Sequence, residues 1–413
     1  MKYVVLGASA AGISGVGRLR ELDPTAEITL ISKDEHIYSR CIMHHYIEGI
    51  RDLKKLQFVP QDFIEKNKIN WMKGESATNI DTHAKEVLTS KGNRVPFDKL
   101  LIATGSHVFF PPIPGLKEAK NAIGFHDIDE CEAIMERAKT AEHIVIMGAG
   151  LVGIDAVSGL LHLGKSLTLV EMRDRMLSIQ LDHRAARTYE AAFEAHGVKQ
   201  LYSVGASALN LNEHDEITSI TLSNGESIPC DLLIVASGVR ANVSFLEGSD
   251  IETDRFGLII DPLGQTSHPD IYGAGDVTGR NPIWPVAVKE GLIAASNMAG
   301  VHMEMTDFFA SKSTMNFLNI PTMSLGLAQP EDESEYCIEI EEGTKGNYKK
   351  IVHKDGKIYG AILQGDLSYS GILTQLIRNK IDVSKVRKPL FRIDYSDFFN
   401  IKENFEYTYT DEV

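Results

Sequence analysis

Two apolar runs in this chain end in the same way. Tyr3-Val4-Val5-Leu6 and Ile144-Val145-Ile146-Met147 each reach a glycine and then a stretch of helical character. Each helix leads to a second apolar run, Ile28–Ile31 and Leu167–Val170. A third run follows in each half and ends in small residues: Leu100-Leu101-Ile102-Ala103-Thr104-Gly105 and Leu232-Leu233-Ile234-Val235-Ala236-Ser237-Gly238. A strand that is apolar at every position is buried on both faces. Alternated with helices, such strands predict a parallel sheet covered on both sides. The repeat therefore predicts two α/β nucleotide-binding domains. Pro111-Pro112-Ile113-Pro114-Gly115 reads as a stiff linker between them, and Asp127 to Ala141 as a charged helix. From about residue 316 the pattern changes. Short strands, Tyr348–His353 and Lys357–Leu363, flank the turn Lys354-Asp355-Gly356, with a helix near Ser370–Asn379. The polar, acidic stretch Glu403–Val413 is expected to be loosely held.

The glycines carry the chemistry. Gly7-Ala8-Ser9-Ala10-Ala11-Gly12 has the GxGxxG frame with serine at the middle glycine, and Gly148-Ala149-Gly150-Leu151-Val152-Gly153 has all three. The first position makes the tight turn, the second lets a pyrophosphate approach the backbone, and the third packs helix on strand. The helix N-terminus then offers N–H groups and partial positive charge to the phosphates. One such frame is weak evidence; two, each between a strand and a helix, are not. Glu171 ends the second strand of the second unit, where a carboxylate accepts from ribose hydroxyls and repels a 2′-phosphate. This predicts NADH over NADPH, with Arg173 and Arg175 close enough to weaken the preference. Ser32 stands at the matching place in the first unit, and Lys33, Asp34 or Glu35 could assist there.

Composition narrows the function classes. The net charge of −15 disfavours a nucleic-acid binder. No apolar run approaches a membrane span, and Met1 to Gly7 already read as strand and turn, which leaves no signal peptide. Cys41, Cys131, Cys230 and Cys337 form no CxxC pair and no disulfide framework, so a reducing cytoplasm is expected.

A third motif, Thr266-Ser-His-Pro-Asp-Ile-Tyr-Gly-Ala-Gly-Asp-Val277, runs a strand into small residues and Asp276. Together with the two glycine turns, Ala103-Thr104-Gly105, Pro112-Ile113-Pro114-Gly115, Ala236-Ser237-Gly238 and Trp284-Pro285-Val286-Ala287 before Glu290-Gly291, it resembles the pyridine nucleotide–disulfide oxidoreductase class. The likeness covers residues 1 to about 300. It implies an α/β fold of two Rossmann-like dinucleotide-binding domains and a C-terminal α+β interface domain. The boundaries would be FAD at 1–110 and 241–315, NAD(H) at 111–240, and the interface domain at 316–413. FAD contacts would come from Gly7, Ser9, Ala11, Gly12, Ser32, Lys33, Arg40, Ala77, Ala103, Thr104, Gly105, Gly275, Asp276 and Ala287. NADH contacts would come from Gly148, Gly150, Leu151, Val152, Gly153, Asp155, Glu171 and Gly238. Tyr38-Ser39-Arg40 and Asn319–Gly326 resemble the rubredoxin reductase and nitrite reductase large-subunit branch. Its members pass electrons from NADH through FAD to a separate redox protein or partner subunit. A homodimer and a complex subunit both suit that branch.

Cys41 and Arg40 are the candidate catalytic residues. Relatives that reduce disulfides carry two cysteines beside the flavin, but Ile42 to Tyr46 hold no second one, which removes a dithiol mechanism. A single cysteine at this place resembles the coenzyme A disulfide reductases, NADH oxidases and peroxidases. The favoured reading of Cys41 is nonetheless a small buried hydrophobe. Arg40 is expected either to pair with Asp155 or to be exposed, and His126 stands where many relatives carry an arginine. Cys41, His44 and His45 at helical spacing suggest a metal only weakly, and none is expected. Three functions stay open: an NADH-dependent carrier of electrons to another protein, a Cys41-dependent reductase or oxidase, and a flavin-holding scaffold with little turnover. Lys349-Lys350 and Arg378–Lys388 are candidate basic patches for an acidic partner.

Overall fold

The computed structural model describes residues 1–306 and 312–409. They form two compact units. The first gathers the described residues of Met1–Pro111, Gly124–Glu136 and Ser237–Ala310, and the second those of Pro112–Ile123, Arg137–Ala236 and Ser311–Val413. The chain thus returns to the first unit for Gly124–Glu136, a segment the sequence reading assigned to the second domain.

In the first unit a parallel sheet runs in the order Ile271–Gly273, Lys99–Ile102, Lys2–Leu6, Glu27–Ser32, Ile69–Lys73. Its central strands feed two cores. Tyr3, Val5, Ile28, Leu30 and Leu101 pack with Ile13, Val16 and Leu19 of the helix Ala10–Leu22 and with Ala294, Ala295 and Met298 of the helix Trp284–Met298. Val4, Leu6, Ile31, Leu100 and Ile102 point the other way, against Ile80, Val87, Phe97 and Leu258. Alternate side chains fill opposite cores, which is why these strands read as unbroken apolar runs. One face is covered by helices. The other is covered by an antiparallel sheet of Ala77–Asp81, Glu86–Thr89 and Arg94–Pro96.

In the second unit, parallel strands follow the order Lys199–Leu201, Ser166–Val170, His143–Met147, Leu232–Val235. The C-terminal part is an antiparallel sheet in the order Lys312–Phe317, Ile320–Gly326, Lys357–Gln364, Tyr348–Lys354, Cys337–Glu342, with the helix Ser370–Arg378 packed on it. The helix His183–Ala195 meets this sheet through a polar seam. The Tyr189 hydroxyl donates to the Ile320 carbonyl at 2.6 Å and accepts from the Thr322 hydroxyl at 2.8 Å. Gln364 Nε2 donates to the Ala185 carbonyl at 3.1 Å and to Thr322 at 3.2 Å. Tyr348 donates to Asp182 at 2.6 Å, and Lys350 Nζ lies 3.5 Å from Asp182 and 3.2 Å from Glu333. This corrects one expectation: Lys349 and Lys350 are buried, at 9% and 3% exposure, and form no surface patch. Arg378, Lys380, Lys385 and Arg387 are exposed. The expected loose tail forms a hairpin of Phe399–Ile401 with Tyr407–Tyr409; its last residues, 410–413, lie outside the described residues. No helix among the described residues is long and apolar enough to cross a membrane.

Candidate dinucleotide sites

Each glycine turn is enforced by sterics. Gly7 has φ +106°, donates its N–H to the Ile31 carbonyl at 2.8 Å, and would place a Cβ 2.1 Å from the Ala103 oxygen. A Cβ on Gly12 would stand 1.9 Å from the Gly7 oxygen. The second unit repeats this: Gly148 has φ +111° and donates to the Val170 carbonyl at 2.9 Å, and a Cβ on Gly153 would stand 1.9 Å from the Gly148 oxygen. The middle positions differ. Gly150 caps its helix at φ −76° and a Cβ there would meet nothing within 4 Å. Ser9 caps the first helix in extended backbone and its side chain makes no capping bond. The first-turn N–H groups of both helices are orphan donors by construction, and neither cap side chain takes one. Both turns therefore suit a dinucleotide diphosphate, with a cradle that backbone alone can approach.

The second turn has its carboxylate in place. Glu171 accepts the N–H groups of Ala149 and Arg173, each at 2.7 Å, so it ties the strand end to the turn itself. Leu151 and Asp155 are half-buried on the helix Leu151–Leu160, and Val152 is exposed. Arg175 is committed elsewhere, to the carbonyls of Leu181 and Ser178, to Asp174 and to Gln329. Arg173 is exposed. Gly238, expected at the nucleotide of the second unit, belongs to the first unit, where its carbonyl accepts the Phe109 N–H.

At the first turn, one expectation needs correction. Ser32 is buried at 3% exposure; its hydroxyl donates to the Asp34 carbonyl at 2.6 Å and accepts from Trp71 at 2.8 Å, so it faces inward and not toward a ribose. Arg40 donates to Asp34 at 2.8 Å and to the His126 carbonyl at 2.6 Å. Burial opposes its charge, but Tyr38, Asp34, Asp127 and Asp276 outweigh it and hold the guanidinium above its ordinary pKa. Lys33 pairs with Asp127 at 3.1 Å. Ala77 is half-buried at the start of its strand, and Ala103 is buried. Thr104 and Gly105 close a loop on Asn242, whose carbonyl accepts the Thr104 hydroxyl at 2.9 Å.

A cluster of polar groups surrounds Asp276. Its carboxylate accepts from Ser106 at 3.3 Å, and Ser106 lies 3.4 Å from His126 Nε2. Burial raises the Asp276 pKa, against Ser106 and Arg40. Burial and Arg40 push His126 down to about 4, so this imidazole is neutral at pH 7. Glu290 accepts the Gly275 N–H at 2.7 Å. Ala287 is buried, and a Cβ on Gly275 (φ +81°) would lie 3.4 Å from it and 3.0 Å from Ala11 Cβ. Ser106 was not among the residues expected at this site; Asp34 was expected only as a helper beside Ser32, and Glu290 only as part of the helix-start motif.

Cys41 is exposed, in a 3₁₀ turn of Arg40–Ile42 that precedes the short helix His44–Ile47. The favoured buried reading is thus overturned. The turn also breaks the single helix on which Cys41, His44 and His45 would share a face. Among the described residues no group of three or more His, Cys, Asp or Glu side chains is placed to hold a metal ion.

Residues 1–291 match the family described as pyridine nucleotide-disulphide oxidoreductase. The chain belongs to that family. Its members are NAD(P)H-dependent oxidoreductases that bind FAD. Residues 312–381 match a second description, the rubredoxin NAD+ reductase C-terminal domain. Over 405 residues the chain is 29% identical to the assimilatory nitrate reductase electron transfer subunit of Bacillus subtilis, covering 96% of this chain and 51% of that one. It thus spans about half the length of that relative. It is 27% identical to the NADH-dependent phenylglyoxylate dehydrogenase subunit epsilon of Aromatoleum evansii, over 94% of this chain and 93% of that one. Among solved structures, the NAD-dependent persulfide reductase of A. fulgidus has the same fold, with TM-score 0.83 and 24% identity over 92% of this chain and 77% of that one.

Proposed function

We propose that this family member is an FAD-dependent NADH:acceptor oxidoreductase that passes electrons from NADH through FAD to another protein, a rubredoxin- or ferredoxin-like carrier or a partner enzyme subunit. The observation that carries the reading is the pair of glycine turns, one in each unit, each closed to any side chain at its first or third glycine. In the first unit Gly7, Ser9, Ala11 and Gly12 would take the FAD diphosphate, with Asp276 at the ribityl side. In the second, Gly148, Gly150 and Gly153 would take the NADH diphosphate and Glu171 the adenosine ribose. Glu171 and the engagement of Arg175 favour NADH over NADPH. Bound together, a reduced nicotinamide and a flavin supply hydride transfer between their own rings. The chain's part is to hold both, keep His126 neutral and fix Arg40 beside Asp34. Two sequence relatives are named as subunits of larger enzymes, which supports a protein acceptor. Four cysteines without a disulfide support a cytoplasmic setting.

Anaerobic stopped-flow mixing with NADH tests the first half-reaction; a colourless, flavin-free protein would sink the reading, and absent flavin bleaching would favour a scaffold. Affinity capture from the host, followed by NADH-dependent reduction of what co-purifies, identifies the acceptor. A second reading, a Cys41-dependent thiol, peroxide or oxygen reductase, gains weight because the Cys41 side chain is exposed. Cys41→Ser separates the two: turnover with every acceptor is unchanged if electrons leave directly from the flavin, and is lost with the small substrate if the thiol carries them.

A further inference from the structure

Three segments of the first unit touch at one point. A Cβ on Gly291 would stand 2.2 Å from the Ala11 oxygen, and one on Gly275 would stand 3.0 Å from the Ala11 side chain. The first glycine turn, the Gly275-Asp276 turn and the helix Trp284–Met298 are therefore in close backbone contact. Glu290 lies one residue before Gly291 and puts a carboxylate into this contact, where it accepts the Gly275 N–H at 2.7 Å. Gly275 has φ +81°, a left-handed position that favours glycine, and it opens the turn Gly275–Thr278 that carries Asp276.

We propose that Glu290 is a positioning residue for the cofactor: by holding the Gly275 N–H it seats the Gly275-Asp276 turn against the first glycine turn, and its ionisation state sets how firmly an anionic dinucleotide is retained there. The proposal rests on the reading of that turn as the FAD site. Burial disfavours the Glu290 anion, the Gly275 N–H favours it, and the Asp276 carboxylate on the adjoining turn disfavours it. The Arg40 guanidinium acts on Asp276. The net effect pushes Glu290 up to about 7. A diphosphate on the first turn adds negative charge, so binding favours the protonated carboxyl and retention weakens as pH rises. With one linked proton, the weakening between pH 6 and pH 8 is at most roughly tenfold.

The experiment measures FAD release from the holoprotein by recovery of flavin fluorescence after dilution, from pH 6 to pH 8. It compares the wild type with Glu290→Gln and Glu290→Ala, and records thermal unfolding of each FAD-stripped chain. The wild type should release FAD up to about tenfold faster at pH 8 than at pH 6. Glu290→Gln keeps an acceptor for the Gly275 N–H and cannot ionise; it should match the wild type at pH 6 and stay flat. Glu290→Ala should release FAD about tenfold faster than the wild type at pH 6, whatever the melting of its stripped form. If Ala does not fold, the flat or sloping profile of Gln decides alone. A Gln variant with the wild-type slope, or an Ala variant that holds FAD as firmly as the wild type, overturns the proposal and leaves the functional reading standing. A wild type that holds no FAD overturns both.

Discussion

Gly150→Ala separates the fold from the ligand. The added methyl meets nothing within 4 Å, and the residue already has φ −76°, which alanine adopts freely. Removing glycine freedom from the unfolded chain stabilises by about 0.4–1 kcal/mol. Alanine is a poorer N-cap than glycine by several tenths, which offsets most of this. The net change stays within roughly 0.5 kcal/mol, a shift of at most about 2 °C in melting temperature for a unit of this size. The nucleotide reading gives a different number for binding. A diphosphate that accepts from the first-turn N–H groups must come within hydrogen-bond distance of backbone, and a methyl fills that approach. Overpacking of this kind costs about 1–3 kcal/mol, or roughly 5- to 150-fold in Kd. The assay is NADH titration of the purified variant, with melting measured on the same sample. Gly153→Ala is the contrast: its Cβ would press on the Gly148 oxygen at 1.9 Å, so stability and NADH binding should fall together. A Gly150→Ala protein that binds NADH within twofold of the wild type would refute the assignment of this turn.

Other expectations follow from single contacts. Glu171→Gln keeps one acceptor for Ala149 or Arg173 but turns an amide donor on the other N–H; NADH affinity should drop by about 1–3 kcal/mol in the same titration, with FAD content unchanged. Gly7→Ala combines φ +106° with a Cβ 2.1 Å from the Ala103 oxygen, so the purified protein should be poorly folded or flavin-free by absorbance. Lys350→Met removes a buried cation from Asp182, which keeps Tyr348 and the Ala185 N–H, and from exposed Glu333. The unfolding free energy from urea titration should fall by about 1–3 kcal/mol, with flavin reduction by NADH preserved.

What could be read from sequence was what depends on near neighbours along the chain. The glycine turns, the strands beside them and the place of Glu171 all follow from local spacing and from the two-faced burial of parallel strands. The rest depends on contacts that no period encodes. Arg40 finds Asp34 six residues back and His126 at a separation of 86, across an irregular loop. Ser32 looked like a ribose contact because it aligns with Glu171; Trp71 from the neighbouring strand claims its hydroxyl. Lys349-Lys350 looked like surface charge, yet the strand Tyr348–Lys354 is buried through its first five residues and pairs these cations with Asp366, Asp182 and Glu333. Glu290 reaches Gly275 over 15 residues, through the packing of small residues at Ala11, Ala287 and Gly291.

The polar seam of the second unit also bears on how this family can be recombined. A chimaera that exchanged the C-terminal sheet alone, at a junction near residue 312, would cut Tyr189 from Thr322, Ala185 from Gln364 and Asp182 from Tyr348 and Lys350. Each severed bond would leave a buried donor or acceptor facing a foreign surface. The exchangeable cassette is therefore the sheet together with the face of the helix His183–Ala195 and its cap Asp182. A graft that exchanges this sheet has to carry that helix face with it, although the helix lies far from the sheet in sequence.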